Sequence, residues 1–165
     1  MPSPADPVRP ADSDARALAR RLMSSARFAA LSFLHPDNGL PFASRIGFGL
    51  GPAGEPAALL SAIALHTRAL RRNPAAALLI GEPGEKGDPL VAPRLALQVT
   101  ARFEPRDAAA HAARRAAWLA DHPKAALYVD LPDFAFVTFV PGTGLLNGGF
   151  GRAFHIAPDD LLAGG

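Results

Sequence analysis

The sequence contains no cysteine, which excludes disulfides, thiolate metal ligands, iron–sulfur clusters and cysteine nucleophiles. Long hydrophobic runs are also missing, and no stretch approaches the roughly 18 continuous apolar residues of a membrane helix. The N-terminus lacks the apolar segment of a secretory signal peptide. We therefore expect a cytoplasmic protein without a membrane partner. Its 165 residues suffice for one domain with a sizeable core.

Lysine is scarce, and arginine carries nearly all of the positive charge. Lys86 and Lys124 are the only lysines among 17 basic residues, which face 15 acidic ones and leave a formal net charge of +2. Domains that bind nucleic acid usually have a stronger cationic excess. We therefore expect no nucleic-acid partner.

Several short signatures of catalytic sites are absent. There is no Gly-x-Ser-x-Gly elbow, no phosphate-binding P-loop and no His-Glu-x-x-His motif. The five histidines are scattered, and no pair has metal-ligand spacing beside a carboxylate. We predict no metal site, and the sequence identifies no catalytic residue.

Hydrophobic periodicity predicts an α+β fold in which an antiparallel sheet curls into a barrel. Helices are predicted at 14–26, with Ser13 or Asp14 as N-cap, and at 66–73 and 107–121. Strands are predicted at 28–35, 41–50, 57–63, 75–80, 94–103, 133–140 and 152–156. We expect residues 1–13 to form a disordered leader and residues 14–165 to form one domain.

The segment from Ser61 to Arg68 is the first candidate for a ligand site. A predicted strand ends at the serine, and a helix then begins with His66, Thr67 and Arg68. Helix N-termini present unpaired N–H groups and a partial positive charge, so they attract phosphate groups. In the alternative interpretation, Thr67 only caps the helix and Arg68 lies on a solvated face.

Arg45 and Gln98 are polar residues in the middle of predicted strands. Arg45 either faces water outside the barrel or pairs with an anion such as a phosphate. Gln98 either satisfies the barrel interior or contacts the polar edge of a ring. In the Gly-rich tail at 147–152, Phe150, together with Phe154, either stacks on an aromatic ligand or closes the barrel end.

These blocks resemble the pyridoxamine-5′-phosphate-oxidase-related family of FMN-binding split-barrel proteins. Residues 25–48 are similar to the family's opening hairpin, and residues 59–98 to its following strand, phosphate-side helix and loop. Residues 121–141 and the run NGGFGRAF at 147–154 resemble the haem-utilisation branch, without its extra C-terminal domain. The resemblance implies a six- or seven-stranded antiparallel split β-barrel with two to three flanking helices, working as a homodimer.

The resemblance also implies a cofactor site at the interface between two subunits. The residues implied to hold the cofactor are Arg45, Ser61, Ala62, His66, Thr67, Arg68, Gln98 and Arg152. The resemblance implies that the first six contact the phosphate and ribityl chain of FMN and that Gln98 faces the isoalloxazine ring. The implied function is an FMN-binding oxidoreductase-like protein of unknown substrate, and whether it is catalytic stays open.

Two alternatives remain open on the same barrel. One is a haem-binding or haem-utilisation protein, with His155 or His66 as the iron ligand and Arg152 paired with a propionate. The other is a non-enzymatic binding module that holds no cofactor.

Overall fold

The computed structural model describes residues 7–162, which form a curled, mostly antiparallel sheet flanked by helices. The strands are β1 (Arg9–Pro10), β2 (Phe28–Leu34), β3 (Pro41–Gly47), β4 (Gly49–Leu50), β5 (Pro56–Ser61), β6 (Ala75–Ile80), β7 (Arg94–Phe103), β8 (Phe134–Asn147) and β9 (Ala153–Ile156). The helices are α1 (Ser13–Ser25), α2 (Leu65–Arg72) and α3 (His111–Asp121), with short 3₁₀ segments at 89–91, 123–127 and 158–161. Within the described range, no helix has the length and apolar character needed to cross a bilayer.

Strand pairing closes most of the sheet into a barrel. β2 pairs with β3 and β6, β6 with β7, and β7 with β8, all antiparallel. β8 also pairs with β5, and β5 pairs with β4, which follows β3 after Phe48. The order β3–β2–β6–β7–β8–β5–β4 therefore returns to its starting point. β9 pairs antiparallel with the second half of β8, and β1 pairs parallel with β9.

The predicted α+β class is confirmed, but the sheet has nine strands within residues 7–162, rather than six or seven. β1 has only two residues, too few to leave a periodic signal, and the strand predicted at 41–50 is divided at Phe48 into β3 and β4. The strand predicted at 133–140 also ends too early, because β8 continues to Asn147. Proline and glycine usually interrupt a strand, whereas here Pro141 and Gly142 adjoin a bulge within β8.

Alternation along the strands explains where the core lies. In β2, Ala29, Leu31 and Phe33 are buried and the residues between them are exposed. Side chains from the other strands meet them inside the barrel, among them Leu60, Leu78, Leu97 and Phe139, together with Phe48 between β3 and β4. A smaller cluster around Trp118 packs between α3 and the sheet. One face of the sheet therefore fills the barrel, and the opposite face remains outside.

The N-terminal segment differs from the predicted disordered leader. Arg9–Pro10 pair with β9, and the Arg9 guanidinium lies 4.8 Å from the ring centroid of Phe154. The N-cap of α1 is Asp12, whose carboxylate accepts a 2.8 Å hydrogen bond from the Ala15 amide. Pairing with a strand distant in sequence leaves no local signal, so composition alone suggested disorder. Residues 1–6 of the predicted leader lie outside the described residues.

The turn between β4 and β5 has the spacing Gly-x-Gly-x-x-Gly, at Gly49, Gly51 and Gly54. In dinucleotide-binding folds this spacing lies between a strand and a helix, whose N-terminus holds the pyrophosphate. Here it connects two antiparallel strands, and the Ala53 amide donates a 2.9 Å hydrogen bond to the Glu55 carboxylate. The spacing therefore reflects a tight turn rather than a nucleotide site.

Candidate functional site

Small side chains cover much of the outer face of β2, β6 and β7. Ala30 on β2 lies opposite Leu79 on β6, which in turn lies opposite Ala96 on β7. In the adjacent row, Ala77 lies opposite Gln98. These residues point outward because buried residues alternate with them along each strand. Around Ala77 and Ala96 the sheet therefore offers a surface of small side chains, whereas Leu79 is the bulkier apolar residue between Ala30 and Ala96.

A cavity of about 390 Å³ opens on this face near β9. Its walls include Ala77, Ala96, Gln98, Thr143 and His155. A second cavity, of about 460 Å³, lies next to it. The residues that line both cavities are Thr143, Gly144 and His155. His155, which is exposed on β9, therefore stands between two cavities.

A β-bulge places Gln98 beside Thr143. The pairing of β7 with β8 shifts between Leu97 and Val99, so β8 carries two residues opposite Gln98. Such bulges redirect side chains. The Thr143 hydroxyl donates a 2.8 Å hydrogen bond to Oε1 of Gln98, and both side chains are exposed. Gln98 thus lies on the outer face and does not satisfy the barrel interior.

The start of α2 has no side-chain cap. Ala64 is the N-cap residue, and no side-chain hydrogen bond is made there. Thr67 therefore does not cap the helix, contrary to one of the two predicted interpretations. Its hydroxyl is buried, with the residue 1% exposed, and has no hydrogen-bond partner within residues 7–162. The first-turn N–H groups and the positive end of the helix dipole remain suited to an anion.

His66 turns toward the barrel instead of outward to a phosphate. Its Nδ1 lies 3.1 Å from the Ser44 hydroxyl on β3, and its ring meets the edge of Phe33 at 6.4 Å. Burial lowers the pKa of His66 because the charged imidazolium is poorly solvated there. The ring is therefore neutral at pH 7 and offers a phosphate no positive charge.

Asp133 engages both residues at the end of β5. The Ser61 hydroxyl donates a 2.8 Å hydrogen bond to the Asp133 carboxylate, and the Ala62 amide donates a 2.7 Å bond to the Asp133 carbonyl. A carboxylate at this position repels a phosphate. The end of β5 therefore carries negative charge where the FMN phosphate is predicted to bind.

The three predicted site arginines are exposed and do not line the cavity beside His155. The Arg45 guanidinium lies 5.0 Å from the ring centroid of Phe28. Arg68 is on α2, and Arg152 follows the glycine-rich turn before β9. For Arg45, the structure agrees with the solvent-facing alternative. The predicted site thus divides into the α2 start, the exposed arginines, and the pair Gln98 and His155.

The two phenylalanines of the tail have opposite environments. Phe154 is 2% exposed and belongs to the core, so it is unable to stack on a ligand. Phe150 is 93% exposed and stands between Gly149 and Gly151, which both have positive φ. Closure of the barrel end is therefore the role of Phe154, whereas Phe150 projects into solvent.

Sequence reasoning missed three residues that shape this region: Ser44, Asp133 and Thr143. Thr143 had a recognisable signal, since it stands between two glycines in the run Pro141–Gly144. Glycines within an otherwise apolar strand often mark a bulge. Ser44 and Asp133 had none, because only the folded chain brings them to His66 and Ser61.

No protein-family model matches the sequence. The chain is 32% identical over 128 residues to the protein named "Non-canonical heme oxygenase HOZ, chloroplastic" from Arabidopsis thaliana. The match covers 74% of this chain but only 36% of the relative, so this chain spans little more than a third of that protein.

The solved structures that share the architecture include two bacterial proteins. One is a heme binding protein from Mycobacterium smegmatis, with 30% identity and a TM-score of 0.81, over 93% of this chain and 61% of that chain. The other is a Clostridium acetobutylicum protein of the pyridoxinephosphate oxidase family, related to general stress protein 26. It has 16% identity and a TM-score of 0.67, over 92% of this chain and 99% of that chain, and indicates the fold alone. This chain therefore has the split-barrel fold of pyridoxamine-phosphate-oxidase-related and haem-utilisation proteins, and its sequence is similar to the two haem-related relatives above.

Proposed function

We propose that this protein binds haem on the outer face of its sheet, with His155 as the axial ligand of the iron. The observation that carries the proposal is the position of His155 between two cavities, beside a surface of small side chains. Histidine is a common axial ligand of haem iron, and bound haem supplies a redox-active metal. The names of two relatives with at least 30% identity, the HOZ haem oxygenase and the heme binding protein, support haem over other ligands.

The residues around His155 fit a flat, carboxylate-bearing macrocycle. Ala77 and Ala96 leave space above the sheet, so a planar ring can approach the backbone of β6 and β7. Gln98 contributes a neutral polar group at the wall of the cavity.

FMN is the second candidate. The start of α2 favours it, because this helix has no side-chain cap and the buried Thr67 hydroxyl in its first turn has no hydrogen-bond partner within the described residues. In that arrangement Arg68 and the helix N–H groups bind the phosphate, and Gln98 faces the ring. The Asp133 carboxylate and the neutral His66 reduce the positive potential at the phosphate end. We therefore place haem first.

An absorbance spectrum tests both candidates on the purified full chain. We expect the colourless protein to develop a Soret band on titration with hemin and to saturate at a defined ratio of haem to chain. Protein that is yellow as purified, shows flavin bands and develops no Soret band would favour FMN and contradict haem. Protein that binds neither would leave only the non-enzymatic binding module.

We also propose that two copies of the chain pack on this outer face and enclose the cofactor. Leu79, Val140 and Leu145 expose 45%, 45% and 37% of their surface there. Exposed apolar patches of this kind mark interaction surfaces. We expect a dimer by light scattering, and we expect Leu79→Asp to give monomers, because an interface would bury its unpaired carboxylate.

Leu127→Asp is the matched control for this prediction. Leu127 is 86% exposed but lies in the 123–127 segment after α3, away from the outer face of β6. The control should keep the mass of the wild type. A monomeric wild type, or a Leu79→Asp protein that stays dimeric, would refute the proposed interface.

A further inference from the structure

We infer that Thr143 is a positioning residue that fixes the direction of the Gln98 amide, so that the cavity beside His155 presents a hydrogen-bond donor to its ligand. The inference rests on the proposed cofactor site and deepens it. It assigns a role to Thr143, which lines the cavity itself and acts on the ligand through the Gln98 amide. It also defines the chemistry that the site selects, which is a planar ligand with a hydrogen-bond acceptor at its edge.

The hydrogen bond between the two side chains determines which end of the amide is available. The Thr143 hydroxyl donates to Oε1 of Gln98 at 2.8 Å, so the carbonyl end of the amide is engaged. The Nε2 group carries two hydrogens on the opposite branch of the planar amide. Because Gln98 lines the cavity, this branch is the one left for a ligand.

The backbone around Thr143 is built to hold this contact. A Cβ atom at Gly142 would lie 3.3 Å from the carbonyl oxygen of Gln98, and one at Gly144 would lie 3.0 Å from that of Ala96. Glycine at both positions therefore lets β8 approach β7 closely on either side of the threonine. The bulge places its hydroxyl next to the amide. The backbones of β7 and β8 therefore bring the Gln98 and Thr143 side chains together.

The uncharged Nε2–H group of Gln98 therefore selects ligands by the hydrogen-bond acceptors at their edge. A carboxylate oxygen or a ring carbonyl at the ligand's edge accepts the Nε2–H, whereas an edge that presents only N–H groups finds no partner there. Haem supplies carboxylate oxygens through its propionates, and a flavin supplies ring carbonyl oxygens. Both satisfy the same requirement, so the two cofactors must be compared by experiment.

Thr143→Val and Thr143→Ser form the matched pair for the test, because valine keeps the shape and loses the hydroxyl, whereas serine keeps the hydroxyl. In the ligand-free protein, the side-chain ¹⁵N–¹H signals of Gln98 are assigned by their disappearance in Gln98→Glu. We expect these signals to shift in Thr143→Val and to return toward wild type in Thr143→Ser. Thermal unfolding shows whether each variant is folded.

Titration with hemin and, separately, with FMN gives the second readout. For the cofactor that the wild type binds, we expect Thr143→Val to weaken binding about threefold to tenfold, as for the loss of one net hydrogen bond, and Thr143→Ser to bind nearly as wild type. If the wild type binds and the valine variant keeps both its Gln98 signals and its affinity, this inference is wrong and the proposed function stands. Equal losses in both variants would also overturn it. A wild type that binds neither compound overturns the proposed function together with the inference.

Discussion

Replacement of His155 with alanine should remove the Soret band that hemin gives with the wild-type protein, or weaken hemin binding by more than about tenfold. The expected effect is large because the substitution deletes the proposed axial ligand, and even residues that only orient a metal ligand alter metal affinity by about 10–100-fold. His155 is exposed on β9. The measurement is a hemin titration followed at the Soret band, and thermal unfolding shows whether the variant is folded.

Two other histidines serve as controls for this prediction. His35→Ala should bind hemin as wild type, since His35 contacts Phe42 near the β2–β3 turn and lines neither cavity beside His155. His66→Ala tests the alternative iron ligand. His66 is half-buried with Nδ1 against the Ser44 hydroxyl, so it is poorly placed for a ligand on the outer face. Loss of the Soret band in His66→Ala, with normal binding in His155→Ala, would reverse the assignment.

The strands were predictable where one face of the sheet is buried and the other is not. β2 and β7 alternate strictly, so their spans and inward faces follow from the sequence. β1 was not predictable, because two residues carry no period. The division of the strand predicted at 41–50 into β3 and β4 depends on their different partners, β2 and β5, which the sequence does not show. The predicted strand ends before β8 does, because Pro141 and Gly142 are signals of both a strand end and a bulge. Only the pairing of the residues on either side distinguishes the two.

The candidate site was predictable as a set of residues but not as an arrangement. Gln98 and His155 stood out as a polar residue in an apolar strand and a histidine near a glycine-rich tail. Their shared cavity depends on register: Ala96 lies opposite Leu145, which lies opposite His155. Such a cross-strand row extends over three strands and leaves no local signal. The same limit applies to Asp133, whose contact with Ser61 changes the electrostatics of the predicted phosphate site.

Gly81→Ala should destabilise the protein strongly. Gly81 follows β6 with φ of +110°, a conformation that costs other residues about 1–3 kcal/mol. A Cβ atom there would lie 2.5 Å from the carbonyl oxygen of Pro93 and 3.0 Å from Cα of Arg94. Both are backbone atoms, so no side-chain rotation relieves the overlap. The free energy of unfolding from urea titration should fall by more than the conformational cost alone.

Gly84→Ala is the matched control in the same loop. Gly84 does not have a positive φ, and a Cβ atom there meets nothing within 4 Å, so its unfolding free energy should stay within about 0.5 kcal/mol of wild type. Equal effects of the two substitutions would show that the close approach to Pro93 is not maintained in solution. The difference should extend to function, because the overlap displaces the start of β7. Ala96 and Gln98 follow Arg94 on that strand, so Gly81→Ala should also weaken hemin binding, whereas Gly84→Ala should not.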